Sequence, residues 1–349
     1  MKLKNTLIFA IAITLIATVC WELYWRSAGY YPTLNDEKAL WALERSKVEK
    51  ATKEDIIILG SSRAYFDIQQ DAFKEVAGRY PIQLSSTGSS PLPTFHDIVN
   101  NTDFDGTIII GVAPGLLFST TYPGAFPWKR AQSKIDYYEG QTYAQKLNFK
   151  LSVPLQKNLA FMSADEEEWS DDIDLKSLLR GISIGNRAGE PDIPPFYNFG
   201  DVTIPRNMRM SSRTLTDTAF ANSIKKVWYF FGSGAPPPDK ESTMAFFLKD
   251  YNKFIERNGT VVLLRCPSSG GVRMGENMVL PRESFWDDLI KQTNGPSYHF
   301  EDYDIFKDLT CPEESHLSGE DADFFTKTLL KLMIEDGVLK SEKPEYALK

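Results

Sequence analysis

The sequence predicts an α/β protein: a three-layer α/β/α sandwich around a parallel sheet of about five strands, with an N-terminal transmembrane helix and a large insertion after strand three. Three observations point there. Residues 56–59, 107–112 and 260–265 are nearly continuous apolar runs, the pattern of strands buried on both faces of a sheet. Stretches of helical period alternate with them, which implies parallel strands joined by crossovers. Ahead of both, residues 5–21 are seventeen uncharged, mostly aliphatic residues, just long enough at ~1.5 Å per residue to cross a bilayer with snorkelling flanks.

Residues 1–25 form the anchor. Lys2 and Lys4 precede the apolar run and Trp21, Tyr24 and Trp25 follow it, so the expected topology is a single pass through the cytoplasmic (inner) membrane, N-terminus in, with the main domain periplasmic or extracellular. A cleaved signal peptide is the alternative, but no small-x-small site follows, and Ala17-Thr18-Val19-Cys20 places valine where a lipoprotein site wants a small residue. A buried amphipathic helix would need a polar face that the run lacks.

Residues 26–52 read as a polar stalk and a helix, with Asp36 as N-cap and Leu40, Trp41 and Leu43 on its apolar side. Residues 53–340 form the α/β domain. Its first strand ends in Gly60-Ser61-Ser62, and a helix over 67–78 follows with Ala72, Phe73 and Val76 inward. A short strand over 81–84 leads into Ser85-Ser86-Thr87-Gly88, and residues 107–112 form the third strand. Between 113 and 241 the periodicity weakens, with acidic residues over 165–168 and turn-rich pieces at 189–195 and 236–238. This insertion also holds Trp128, Trp169, Tyr197 and Trp228, so it is expected to pack on the core as a lid or substrate wall. The α/β pattern resumes with a helix over 242–258, the strand Thr260–Arg265, a helix over Arg282–Thr293 and a strand over 298–301. A last helix over Gly319–Glu335 is capped by Ser318 with Asp321.

Composition narrows the function classes. With 42% hydrophobic and 25% charged residues in 349, disordered, collagen-like and disulfide-scaffold chains are excluded. A net charge of −8 argues against a sequence-independent grip on nucleic acid, which relies on Lys and Arg neutralising phosphates. Three cysteines with no CxxC and no HExxH give no metal framework, and no cofactor is expected.

In a parallel sheet the loops at the carboxyl ends of the strands gather at one edge and form the site. The first of these carries Ser62 and the last carries His316. A serine hydroxyl needs an imidazole to take its proton and a carboxylate to hold that imidazole in the right tautomer. Glu313 can supply the carboxylate, as can Glu314 or Asp308 nearby. On its own a Gly-Ser-Ser turn is more often a helix cap; its pairing with His316 makes Ser62 the expected nucleophile, with Ser61 supporting the turn. Arg63, Arg273 and Arg282 are candidates for substrate binding, though arginines at helix ends are commonly just solvated. His96 and His299 read as structural.

These blocks, in this order, resemble the SGNH/GDSL hydrolase superfamily. Gly60-Ser61-Ser62 resembles the Gly-Asp-Ser block with Ser61 replacing aspartate, Gly88 the glycine block, and Glu313-Glu314-Ser315-His316 the terminal Asp-x-x-His block with Glu313 replacing aspartate. The resemblance covers roughly residues 53–112 and 242–335. It implies a flavodoxin-like sandwich and an oxyanion hole lined by the backbone N–H groups of Ser62 and Gly88. The family's asparagine donor after strand three is replaced by Gly111-Val112-Ala113-Pro114; losing one such donor typically costs ~3 kcal/mol of transition-state stabilisation. The Gly-Ser-Ser start, the anchor and the His-Leu-Ser ending are closer to the O-acylation subset, the D-alanyl transfer and alginate O-acetylation-like proteins. That implies a serine acyltransferase or esterase acting on acyl esters of a cell-envelope polymer, beside a multispanning membrane-bound O-acyltransferase. A catalytically silent SGNH-fold binding or scaffold partner of that acyltransferase is the alternative.

One cross-link is expected. Cys20 lies in the membrane, which leaves Cys266 at the end of strand four and Cys311 after strand five. Parallel strands ~4.8 Å apart bring such ends toward the ~5.5 Å Cα separation a disulfide favours. The bridge would close about 45 residues, for which chain entropy predicts roughly 4 kcal/mol.

Overall fold

The computed structural model describes residues 3–118, 124–162 and 194–343; the acidic cluster at 165–168, Trp169 and the turn-rich residues 189–193 lie outside them. The apolar runs do form the sheet. β1 (Ile56–Gly60), β2 (Ile82–Gln83), β3 (Thr107–Gly111), β6 (Thr260–Arg265) and β7 (Ser297–His299) pair in parallel in the order β2-β1-β3-β6-β7. β4 (Gly200–Thr203) and β5 (Asn207–Met210) form a separate antiparallel pair.

Alternate residues of each strand feed two cores, as a period of two requires. Ile57, Leu59, Ile108, Ile110, Val261 and Leu263 pack with α2 (Lys38–Val48), α5 (Leu92–Asn101), α11 (Lys240–Glu256) and α13 (Arg282–Thr293). Ile56, Ile58, Ile109, Val262 and Leu264 pack with α3 (Ser62–Asp67), α4 (Gln70–Ala77) and α14 (Gly319–Glu335). Ser318 caps α14 as expected, its hydroxyl accepting from the Asp321 N–H at 3.1 Å. Strand order reverses at β1, between β2 and β3, so the crevice at a topological switch point opens beside the loop that begins at Ser61.

The N-terminal helix α1 (Leu3–Ser27) is long and apolar enough to cross a membrane, and the described residues leave its apolar span exposed. The insertion contributes α6 (Pro114–Leu117), α7 (Phe126–Gly140), α8 (Tyr143–Gln156), the β4/β5 pair, α9 (Ser212–Thr216) and α10 (Thr218–Gly234). Part of it does pack on the core: Phe149, Phe199, Val202, Met208, Met210, Phe220 and Ile224 form a third cluster with Leu34, Leu40, Tyr65 and Phe66.

Three expectations are corrected. Asp36 does not cap α2, whose N-cap position is Glu37. Its carboxylate instead accepts two 2.6 Å bonds from the fully buried Arg206, and Lys134 stands 3.5 Å away. The helix predicted over 67–78 begins only at Gln70, as α4, and the separate short helix α3 precedes it, because tertiary bonds claim the residues between them: the Gln69 N–H donates to Thr326 Oγ1 at 2.9 Å and its side-chain amide to the Met208 carbonyl at 2.7 Å.

Third, Cys266 and Cys311 are free thiols, so the expected bridge is not there. Both are buried in the apolar cluster between the sheet and α14, and burial pushes both thiol pKa values well up, away from the thiolate. Ser269 ties the two loops instead. Its hydroxyl accepts from the Cys311 N–H at 3.1 Å and donates to the Cys311 carbonyl at 3.2 Å, while its own N–H donates to the Glu314 carbonyl at 3.0 Å.

Candidate active site

Ser62 stands at the first position of α3, directly after β1. The turn is made possible by two glycines. A Cβ on Gly60 would stand 2.6 Å from the Ala64 Cβ, and one on Gly111 would stand 2.4 Å from it, so both strand ends lack side chains where α3 presses against them. On the second loop, the Ser86 N–H donates to the Gly60 carbonyl at 3.0 Å. That bond draws the Gly88 segment against the Ser62 turn, and Gly88 itself has a positive φ of 58°.

Three predicted residues come together as a relay. His316 Nε2 lies 2.8 Å from Ser62 Oγ, and His316 Nδ1 lies 2.8 Å from Glu313 Oε1. Glu313 and His316 are fully buried while Ser62 is half-buried, so the nucleophile end alone opens to solvent. Glu313 Oε1 also accepts from the His316 N–H at 2.6 Å, and Oε2 from the Ser315 N–H at 3.3 Å. The carboxylate therefore fixes both the backbone and the ring of the histidine, which sets Nδ1–H as donor and leaves Nε2 to accept from Ser62. Behind the ring the Leu317 N–H donates to Asp67 Oδ1 at 3.0 Å; burial pushes the Asp67 carboxyl well above the usual carboxylate range.

The other two carboxylate candidates do other work. Glu314, at φ 78°, points away: its Oε2 accepts from Tyr229 Oη at 2.6 Å and from the Gly271 N–H at 2.9 Å, joining α10 to α12 (Gly270–Val279). Asp308 is exposed. Ser61 does not support the turn through its side chain, since its buried hydroxyl makes no hydrogen bond; it accepts through its carbonyl from the Tyr65 N–H at 3.3 Å.

The three arginines are not brought to the relay as substrate ligands. Arg63 is buried, its Nη1 2.6 Å from Glu276 Oε1 and its Nε donating to Ser315 Oγ at 3.2 Å. A guanidinium so engaged braces the histidine loop. Arg273 and Arg282 line a separate narrow cleft with Arg265, Glu276, Trp286 and His299, a cleft that includes neither Ser62 nor His316. Arg273 donates there to Glu301 at 3.0 Å and Arg282 to Asp302 at 2.9 Å. Burial, followed by those arginine charges, pulls the His299 imidazole down to about 2. Its Nδ1 accepts from the Glu301 N–H at 3.2 Å, as a structural histidine would; His96 likewise pairs with Asp250 at 2.8 Å.

Sequence reasoning missed the wall around the imidazole. The rings of Phe66, Phe199 and Trp228 have centroids 4.6, 5.5 and 5.6 Å from that of His316, and the Trp228 indole N–H donates to Glu313 Oε2. Phe199 and Trp228 come from the insertion, whose aromatic richness was the one available signal. Among the described residues no three His, Cys, Asp or Glu side chains gather as a metal site.

The chain matches no family model, no curated protein and no solved structure. Fold and site together define a mixed α/β protein with a Ser–His–Glu relay at the switch point of a five-stranded parallel sheet and one apolar helix long enough to span a membrane.

Proposed function

We propose that the chain is an SGNH-type serine acyltransferase or esterase, a three-layer α/β/α sandwich held outside the cytoplasmic membrane by α1, acting on acyl esters of a cell-envelope polymer. The observation that carries this reading is the Ser62–His316–Glu313 relay, with 2.8 Å at both of its bonds. Helices on both sheet faces support the sandwich, and Lys4 at the start of α1 with Trp21, Tyr24 and Trp25 near its end supports the N-in orientation. A scaffold that had abandoned chemistry would have no need to hold three side chains in hydrogen-bonding register.

In this mechanism His316 Nε2 takes the Ser62 proton as Oγ attacks the acyl carbonyl, and Glu313 stabilises the imidazolium that forms. The oxyanion is received by the N–H of Ser62, which has no intrahelical acceptor in the first turn of α3, and by that of Gly88. The imidazolium then protonates the leaving group. A polymer hydroxyl or water, deprotonated by the same Nε2, resolves the acyl-serine. A membrane-bound O-acyltransferase would supply the acyl group across the bilayer.

A fluorophosphonate probe tests the assignment: wild-type protein is expected to label and Ser62→Ala not, while Ser61→Ala retains labelling. Equal labelling of wild type and Ser62→Ala would remove Ser62 from the chemistry. Trp228→Phe keeps an aromatic ring against the imidazole but removes the indole N–H that helps hold Glu313 on Nδ1; it is expected to lower kcat on an aryl ester about tenfold with KM unchanged, the equivalent of the ~1.5 kcal/mol of one hydrogen bond to a charged group. An unchanged kcat would make Trp228 a packing residue alone.

A further inference from the structure

We propose that α8 lies along the outer membrane surface, its exposed apolar stripe seated in the headgroup and acyl boundary of the leaflet that α1 leaves. This rests on α1 crossing the membrane and is independent of the catalytic reading.

The helix is amphipathic twice over. It begins at a capping box, the Thr142 hydroxyl accepting from the Gln145 N–H at 3.3 Å and Gln145 Oε1 from the Thr142 N–H at 2.8 Å. Phe149 and Gln156 are buried and Ser152 and Val153 half-buried, and Phe149 sits in the apolar cluster that the insertion shares with Leu34, Leu40, Tyr65 and Phe66. At about 100° per residue those four define one face. Tyr143, Leu147, Leu151 and Leu155 fall on the opposite one. They are 80%, 43%, 64% and 49% exposed, a continuous stripe at i, i+4, i+8 and i+12 that the described residues leave open to solvent. Lys146, Lys150 and Lys157, all exposed, lie together along one flank.

The end of α8 is fixed at the level where α1 leaves the bilayer. Glu22 of α1 accepts from the Ala160 N–H at 3.0 Å and the Phe161 N–H at 3.2 Å, and Arg26 donates to the Asn158 carbonyl at 3.0 Å. Asn158 is three residues past Leu155. Trp21, Tyr24 and Trp25, packed on one another with centroids 5.5–5.7 Å apart, occupy the same turns of α1, and such rings mark the interface. An apolar stripe beginning at that level, flanked by lysines, is what a helix lying in the interface presents to anionic lipid. The occupant is thus the lipid surface itself, and α8 with α1 gives the domain two points of attachment.

The test is the depth of spin labels on the full chain in nanodiscs containing anionic phospholipid. Labels are placed by Leu151→Cys in a Cys20→Ser background, with Ile13→Cys as the lipid standard and Lys249→Cys, on exposed α11 surface, as the water standard. The ratio of collisions with oxygen to collisions with an aqueous nickel chelate is expected to be several-fold higher at 151 than at 249, approaching that at 13. A ratio at 151 equal to that at 249, with 13 in lipid, overturns the proposal and leaves the stripe to a protein partner. A water-like ratio at 13 overturns the anchor and this proposal together.

Discussion

Replacing His316 with alanine is expected to slow acylation of Ser62 by an aryl ester on the order of 10⁴- to 10⁶-fold, the loss seen when a base is removed from such a relay. The geometry makes the effect specific. Nε2 is the group 2.8 Å from Ser62 Oγ, and the Phe66, Phe199 and Trp228 rings that enclose the imidazole offer no group able to accept the proton in its place. Glu313→Gln is expected to cost about 10³- to 10⁴-fold, because the amide offers an N–H to Nδ1 and favours the wrong tautomer. Glu314→Gln should change the rate by less than about threefold, since its carboxylate serves Tyr229, Gly271 and Val272. Single-turnover acylation kinetics separate the two neighbouring glutamates. Similar losses at 313 and 314 would dissolve the distinction, and a His316→Ala rate within tenfold of wild type would remove the imidazole from the reaction.

What the sequence made legible was local. The apolar runs carried the strands, Thr260–Arg265 to the residue, and a tight Ser turn after β1 with a His loop before the last helix located the relay once the strands were known to be parallel. What it hid depends on partners far away in the chain. Trp228 is 85 residues from the Glu313 it touches and Asp36 is 170 from Arg206, and no periodicity encodes such pairs. Arg63 misled for the same reason: next to Ser62 it resembled a substrate ligand, but Glu276, in a helix with no buried residues, had claimed it. The cysteines misled through compartment and strand geometry, which allow a bridge but do not require one when Ser269 already ties the loops. α8 was lost in the insertion because two opposed apolar faces blur a single-face pattern.

Glu276→Gln is expected to lower the unfolding free energy by about 3–5 kcal/mol at neutral pH, the usual cost of removing one partner from a buried ion cluster. A single carboxylate here serves two buried guanidiniums: Oε1 is 2.6 Å from Arg63 Nη1, and Oε2 pairs with Arg265 and accepts from Ser268 Oγ at 2.9 Å. Arg265 is 1% exposed, and burial, aided by Arg63 and Arg273, already pulls it down to about 10; without Glu276 it loses the charge that chiefly offsets its burial and keeps only neutral partners, the Cys266 carbonyl and Ser268 Oγ. The pH dependence follows from the same cluster. Burial alone would raise the Glu276 pKa, but Arg265 and Arg63 outweigh it and bring it to about 2. A group depressed on folding contributes stability above its unfolded value of about 4.5 and loses it as pH falls toward the folded one. A shift of that size corresponds to roughly 3 kcal/mol. The gap between wild type and Glu276→Gln, measured by urea unfolding of the full chain in detergent, should therefore be widest above pH 5 and close toward pH 2. A gap that does not change with pH would assign the loss to packing instead of charge, and a gap below about 0.5 kcal/mol at pH 7 would mean that the two arginines find other partners.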